Sequence, residues 1–139
     1  MSLSSDTSIS LAESRLKEAL SLLEFGYHSG AYYLSGYAVE LGLKAVIAKQ
    51  ILAGTIPDRA FIQGVYSHDL TKLLALAGLA SDWKTRGDDD PAFAANWLLA
   101  TQWSESSRYE MIDQFRALEM VNAVAEPDHG VVAWLRTHW

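Results

Sequence analysis

The sequence predicts an all-α protein, an up-and-down bundle of four main helices with short additional helices. Three observations carry that prediction. Apolar residues recur at three- and four-residue spacing along most of the chain, Gly, Pro and capping residues punctuate those runs, and no credible strand or hairpin dipeptide interrupts them. At 139 residues a single domain over 1–139 is expected, with 1–7 as a flexible N-terminus.

Asp6 or Ser8 is placed to cap a first helix running to about Phe25. Ile9, Ala12, Leu16, Ala19, Leu20 and Leu23 form its stripe, and Gly26 ends it. A second, longer helix from about His28 to Ala53 follows so closely that the two should form an antiparallel hairpin, with Gly54 and Pro57 breaking the chain beyond. Residues 54–67 read as a connection whose "FIQGVY" packs down on the bundle. Ser67 should cap a third helix carrying Leu70, Leu73, Leu74 and Ala77. "RGDDDP", 86–91, closes a predicted loop over 81–90 and turns into a fourth helix, for which Asp90 suits the cap and Pro91 the first position. "SESSRYE", 104–110, is a predicted polar loop. A fifth helix, about Asp113 to Val124, carries Phe115, Leu118 and Val121 or Asn122 on one side, and a short last helix from about His129 to His138 carries Val132, Leu135 and Trp139.

Half the residues are apolar and a fifth are charged, which suits an ordinary globular chain and not a disordered one. The net charge of −6 argues against an extended basic surface for nucleic acid, though it leaves room for a local basic pocket. The absence of cysteine excludes disulfides, thiolate nucleophiles and Cys-type zinc sites. "MSLSSDTSIS" has neither a basic n-region nor a long apolar run, so no membrane association and a cytoplasmic location are expected.

The second helix carries the main functional signal. With residues placed about 100° apart, Ala31, Ser35, Ala38, Gly42 and Ala45 fall on one line, a seam of small side chains on which another helix can approach closely. Leu34, Leu41 and Leu52 flank the seam on one side, and Tyr32, Val39, Leu43 and Val46 on the other. The remaining narrow stripe holds Tyr33, Tyr37, Glu40 and Lys44, with Ile47 closing its end. Glu40 and Lys44 are either an ordinary solvent-facing i, i+4 pair or the polar lining of a pocket or interface.

Other candidates lie outside this helix. His68 and Asp69 open the third helix, where they serve as cap and dipole-opposing acid, or where His68 reaches a pocket lined by Glu40 and Lys44. Being adjacent in the chain, Ser67, His68 and Asp69 cannot converge as a hydrolase triad. Arg108 and Tyr109 pair a guanidinium with a ring, which can hold a phosphate while stacking on a base; alternatively Arg108 pins its loop to an acid such as Glu40. Trp97, Trp103, Trp134 and Trp139 read as core or dimer-interface fillers. The acids of "RGDDDP" are explained by helix-start chemistry, and His28, His129 and His138 lack ligand spacing, so neither a metal nor a cofactor is expected.

Taken together, "LLEFGYHSGAYYLSGYAVELGLKAVI", "YSHDLTKLL", "SSRYE" and "GVVAWLRTHW" resemble the HEPN domain family over about residues 10 to 139. The resemblance implies a helical bundle that is often a homodimer, associated with nucleotides or RNA, and found among ribonuclease toxins, nucleotidyltransferase-linked toxin–antitoxin partners and non-catalytic binding modules. Nuclease members carry an Arg and a His separated by four to six residues. Here Arg108 is followed at that spacing by Asp113, Gln114 and Phe115, and Arg116 by Val121, Asn122 and Ala123, so the histidine is missing. The expectation is a non-catalytic module that binds a nucleotide or RNA phosphate through Tyr33, Tyr37, Glu40, Lys44, His68, Asp69, Arg108 and Tyr109. Its rivals are a ribonuclease using His68 with Arg108, and a purely structural partner of a nucleotidyltransferase.

Overall fold

Ser4 accepts a hydrogen bond from the Thr7 N–H and so starts the first helix ahead of both predicted caps, inside the segment expected to be flexible. In the computed structural model, residues 4–51 and 58–139 are described. The first three residues of that segment, and the predicted features at Leu52, Ala53, Gly54 and Pro57, lie outside them. In chain order the helices are α1 (Ser5–Glu24), α2 (His28–Ile51), α3 (Arg59–Val65), α4 (Leu70–Leu76), α5 (Ala80–Asp89) and α6 (Pro91–Ala100). A 3-10 turn (Glu105–Tyr109) precedes α7 (Gln114–Ala125) and α8 (Val131–Arg136). No strand occurs among the described residues, and the protein is an all-α helical bundle.

Gly26 takes a left-handed conformation, φ +83°, which lets the Tyr27 N–H reach the Leu22 carbonyl at 2.8 Å and close α1. The chain reverses at once, and α1 and α2 form the predicted hairpin. α2 is the axis of the core. Its seam, Ala31, Ser35, Ala38, Gly42 and Ala45, is buried throughout, and at Gly42 the missing side chain makes room for Leu135 and Trp139. The Trp139 indole donates to the Gly42 carbonyl at 3.1 Å. Leu41, Val39, Leu43 and Val46 are buried on either flank of the seam, and Ile47 is buried as well.

α7 packs against α1, α2 and α6, but not through the side drawn from the sequence. Phe115 and Leu118 are exposed, while Ala117, Met120, Val121, Ala123 and Val124 are buried. Two apolar stripes run along this helix, and the broader one, with smaller residues that let α7 come close, takes the core.

Three predicted loops are helical in part. Within 54–67, α3 begins at an Asp58 cap; Val65 is buried and Phe61 packs against the core, whereas Ile62 and Tyr66 stay exposed. The loop expected over 81–90 is α5: Lys84 pairs with Asp88 at 3.1 Å, Arg86 donates to the Asp128 carbonyl at 3.0 Å, and Asp82 accepts from Trp134 and His138. Arg86 and Asp82 thus tie α5 to the C-terminal segment. Asp90 and Pro91 open α6 as predicted, Asp90 accepting from the Phe93 N–H at 3.2 Å. Trp97, Trp103 and Trp134 are buried and Trp139 is partly buried, so they fill the core.

Asp90 also receives His129, Nδ1 to Oδ2 at 2.7 Å. That bond pushes His129 above its ordinary value of 6.5 and holds Asp90 below its own. A raised imidazole stabilises the fold below about pH 6.5 and loses that contribution as pH rises through its folded value. The depressed carboxyl acts oppositely, losing its contribution as pH falls through its lowered value. Melting temperatures of wild type and His129→Gln are therefore expected to differ most in mildly acidic buffer and to converge at alkaline pH. A difference that widens with rising pH would contradict this.

Candidate functional site

Glu40 and Lys44 project from one face of α2 a turn apart, and the fold covers both. Glu40 is 1 % exposed and Lys44 4 %, with Nζ 3.2 Å from Oε2. The solvent-facing alternative is thereby removed. Ions in such a place persist only when their remaining hydrogen-bonding capacity finds partners.

The second Glu40 oxygen has one. Asp69, not Ser67, caps α4, accepting from the Thr71 and Lys72 N–H groups at 3.0 and 3.1 Å, and the Ser67 hydroxyl accepts from the Asp69 N–H at 3.0 Å. This tight start to α4 presents the preceding residue, His68, to α2, where its Nδ1 lies 2.8 Å from Glu40 Oε1. Its other nitrogen, Nε2, is 3.3 Å from Glu105 Oε2. The imidazole, about half exposed, therefore connects a buried carboxylate with the surface.

Glu105 and Arg108 come from the 3-10 turn, whose position depends on Trp103. The Trp103 ring lies directly against Gly36, where any Cβ would overlap it, and its indole donates to the Tyr33 carbonyl at 3.1 Å. Arg108 sits 4.9 Å over the Tyr109 ring, with a nitrogen 3.7 Å from Glu105 Oε1. Contact with Tyr109 pushes Arg108 up, while burial pushes Tyr33 up against the opposing influence of Arg108.

Between α4 and the end of α6 lies a cleft of about 400 Å³. Its polar wall consists of His68, Asp69, Thr71, Thr101, Ser104 and Glu105, and Trp103 and Leu70 supply the apolar part. Of the eight ligand-binding residues predicted from the sequence, only His68 and Asp69 line it. Glu40 reaches it through His68, and Lys44 only through Glu40. Arg108 joins it through Glu105, with Tyr109 exposed beneath the guanidinium. Tyr33 and Tyr37 are half-buried, their rings 5.9 Å apart, and Tyr33 packs 6.0 Å from Trp103, so they support the cleft instead of offering open stacking faces. Lys44, covered and paired with Glu40, does not line the cleft. Arg108 pairs with Glu105 and not with Glu40 as one alternative had it.

Glu105 and the three hydroxyls were not singled out in the sequence, and Trp103 was read there only as a core or interface filler. Glu105 lies three residues before Arg108, and Gly36 marks the place where a large ring must approach, but neither signal is specific. No group of three or more metal-binding side chains occurs among the described residues, and no helix among them is long and apolar enough to cross a membrane. Comparison with protein-family models, with curated proteins and with solved structures gives no match.

Proposed function

We propose that this protein is a HEPN-type helical module that binds a nucleotide, or the phosphate of an RNA, without cleaving it. The observation that carries this reading is the placement of His68: one ring nitrogen is held by a buried carboxylate, and the other stands in an open cleft beside Glu105, which Arg108 also approaches. The Thr71 hydroxyl, and the acceptor capacity left on Thr101 and Ser104 after their bonds to the Leu98 carbonyl and Ser106, face a ribose or base edge. The missing nuclease histidine supports a non-catalytic role, because 2′-OH activation and leaving-group protonation need two proton-transfer groups.

The resemblance also suggests a homodimer and a nucleotidyltransferase partner in a toxin–antitoxin system of the cytoplasm. Phe115 and Leu118, exposed about one turn apart on α7, support such an association, since neighbouring apolar side chains on a surface commonly mark interfaces. The ribonuclease alternative draws on one observation, the His68–Glu40 hydrogen bond, which is an arrangement able to orient a general base.

One experiment separates the readings. Ligand present at about ten times its Kd should stabilise the folded state by about 1.4 kcal/mol, read as a rise in Tm with AMP or GMP, and His68→Ala or Arg108→Ala should abolish that rise. A mixed RNA pool incubated with the protein should remain intact. Cleavage lost in His68→Ala would overturn the non-catalytic reading, and no shift with millimolar nucleotide would overturn the pocket.

A further inference from the structure

We infer that the Glu105 carboxylate occupies the phosphate position of this cleft, and that the ligand is consequently a terminal phosphate monoester, not an internal diester. The inference rests on the binding role proposed above and specifies its ligand.

Glu105 and Glu40 hold His68 from opposite sides, but unequally. The Glu40 side chain is covered and bonds Nδ1 at 2.8 Å; the Glu105 side chain is 37 % exposed and stands 3.3 Å from Nε2 and 3.7 Å from Arg108. Charge-assisted N–H to carboxylate bonds are typically about 2.7–2.9 Å, so both Glu105 contacts are loose. Both His68 nitrogens face carboxylate oxygens, Glu40 at the closer distance. The His68 Nε2 and the Arg108 guanidinium thus flank one weakly held anion.

The other charges do not compete for that place. Lys44 and Glu40, from α2, neutralise each other beneath His68. The Asp69 carboxylate, at the start of α4, is taken up by the backbone N–H groups it caps. What remains at the surface is His68, Arg108 and the displaceable Glu105.

A ligand must push Glu105 aside to reach the His68 Nε2 and Arg108, so it needs more negative charge than a carboxylate. A phosphate monoester carries about −1.5 to −2 at neutral pH and offers three terminal oxygens. An internal phosphodiester, with a single charge, gains nothing over Glu105, and a nucleoside has no anion at all. Glu105 acts in this way as a built-in competitor that sets specificity by repulsion.

The test is a calorimetric comparison of AMP, adenosine and the dinucleoside monophosphate ApA on wild type, Glu105→Gln and His68→Ala, with melting curves confirming that each variant folds. Wild type should bind AMP at least about tenfold more tightly than adenosine or ApA. Removing the competing charge in Glu105→Gln should tighten AMP by about tenfold and bring ApA closer to it, while His68→Ala should lose AMP. If wild type binds AMP and Glu105→Gln binds it equally or more weakly, Glu105 belongs to the recognition surface and this inference fails, while the nucleotide-binding role stands. If AMP binds neither wild type nor Glu105→Gln at millimolar concentration, both fail together.

Discussion

Glu40→Ala should destabilise the protein by about 3–5 kcal/mol, because it leaves the Lys44 ammonium covered and without its partner. The loss has a second component, since His68 forfeits the acceptor that orients it. Urea denaturation at neutral pH measures the total. The decisive comparison is the double variant Glu40→Leu/Lys44→Met, in which no charge is stranded and the volume is roughly kept. It should recover most of the stability, or exceed the wild type, while losing nucleotide binding, because His68 is no longer held. Stability within about 1 kcal/mol of wild type for Glu40→Ala alone would show that water reaches Lys44 and that the pair is not covered as described.

Gly36→Ala should have the next largest effect. One added methyl would occupy the volume of the Trp103 ring, so the indole must leave its place against α2 and give up its bond to the Tyr33 carbonyl. Overpacking typically costs about 1–3 kcal/mol, and the upper part of that range is expected where backbone on one side and a large ring on the other leave little room to yield. Trp103 lines the cleft and leads into the turn that carries Glu105 and Arg108, so the same change should also weaken nucleotide binding. A double-mutant cycle isolates the cause. In a Trp103→Ala background, Gly36→Ala should cost only the small change expected on an otherwise open helix face; an undiminished cost there would place the clash elsewhere.

Both effects begin in α2, the part of the chain that was most legible in advance. Its periodicity located the small-residue seam, both apolar flanks and the single ionised stripe, because a helix's face pattern depends only on its own repeat. The start of α6 was equally readable, Asp90 and Pro91 being a local device. Local signals misled where a second one lay close by. Ser67 and Asp69 both suit a cap, and the backbone N–H groups of α4 go to Asp69; Ser4 pre-empts Asp6 and Ser8 in the same way. In α7 two stripes were available, and the choice between them was made by how near α2 could come.

Sequence alone, then, determined the helical class, the α1–α2 hairpin and the two charges that would have to share one stripe, since each follows from interactions within about four residues. Which acid stands across His68, which ring lies on Gly36 and which face of α7 is covered were decided by tertiary structure. Glu40 meets His68 across 28 positions and Trp103 meets Tyr33 across 70. No local repeat specifies such pairs; they arise only when close packing of the helices brings distant turns together.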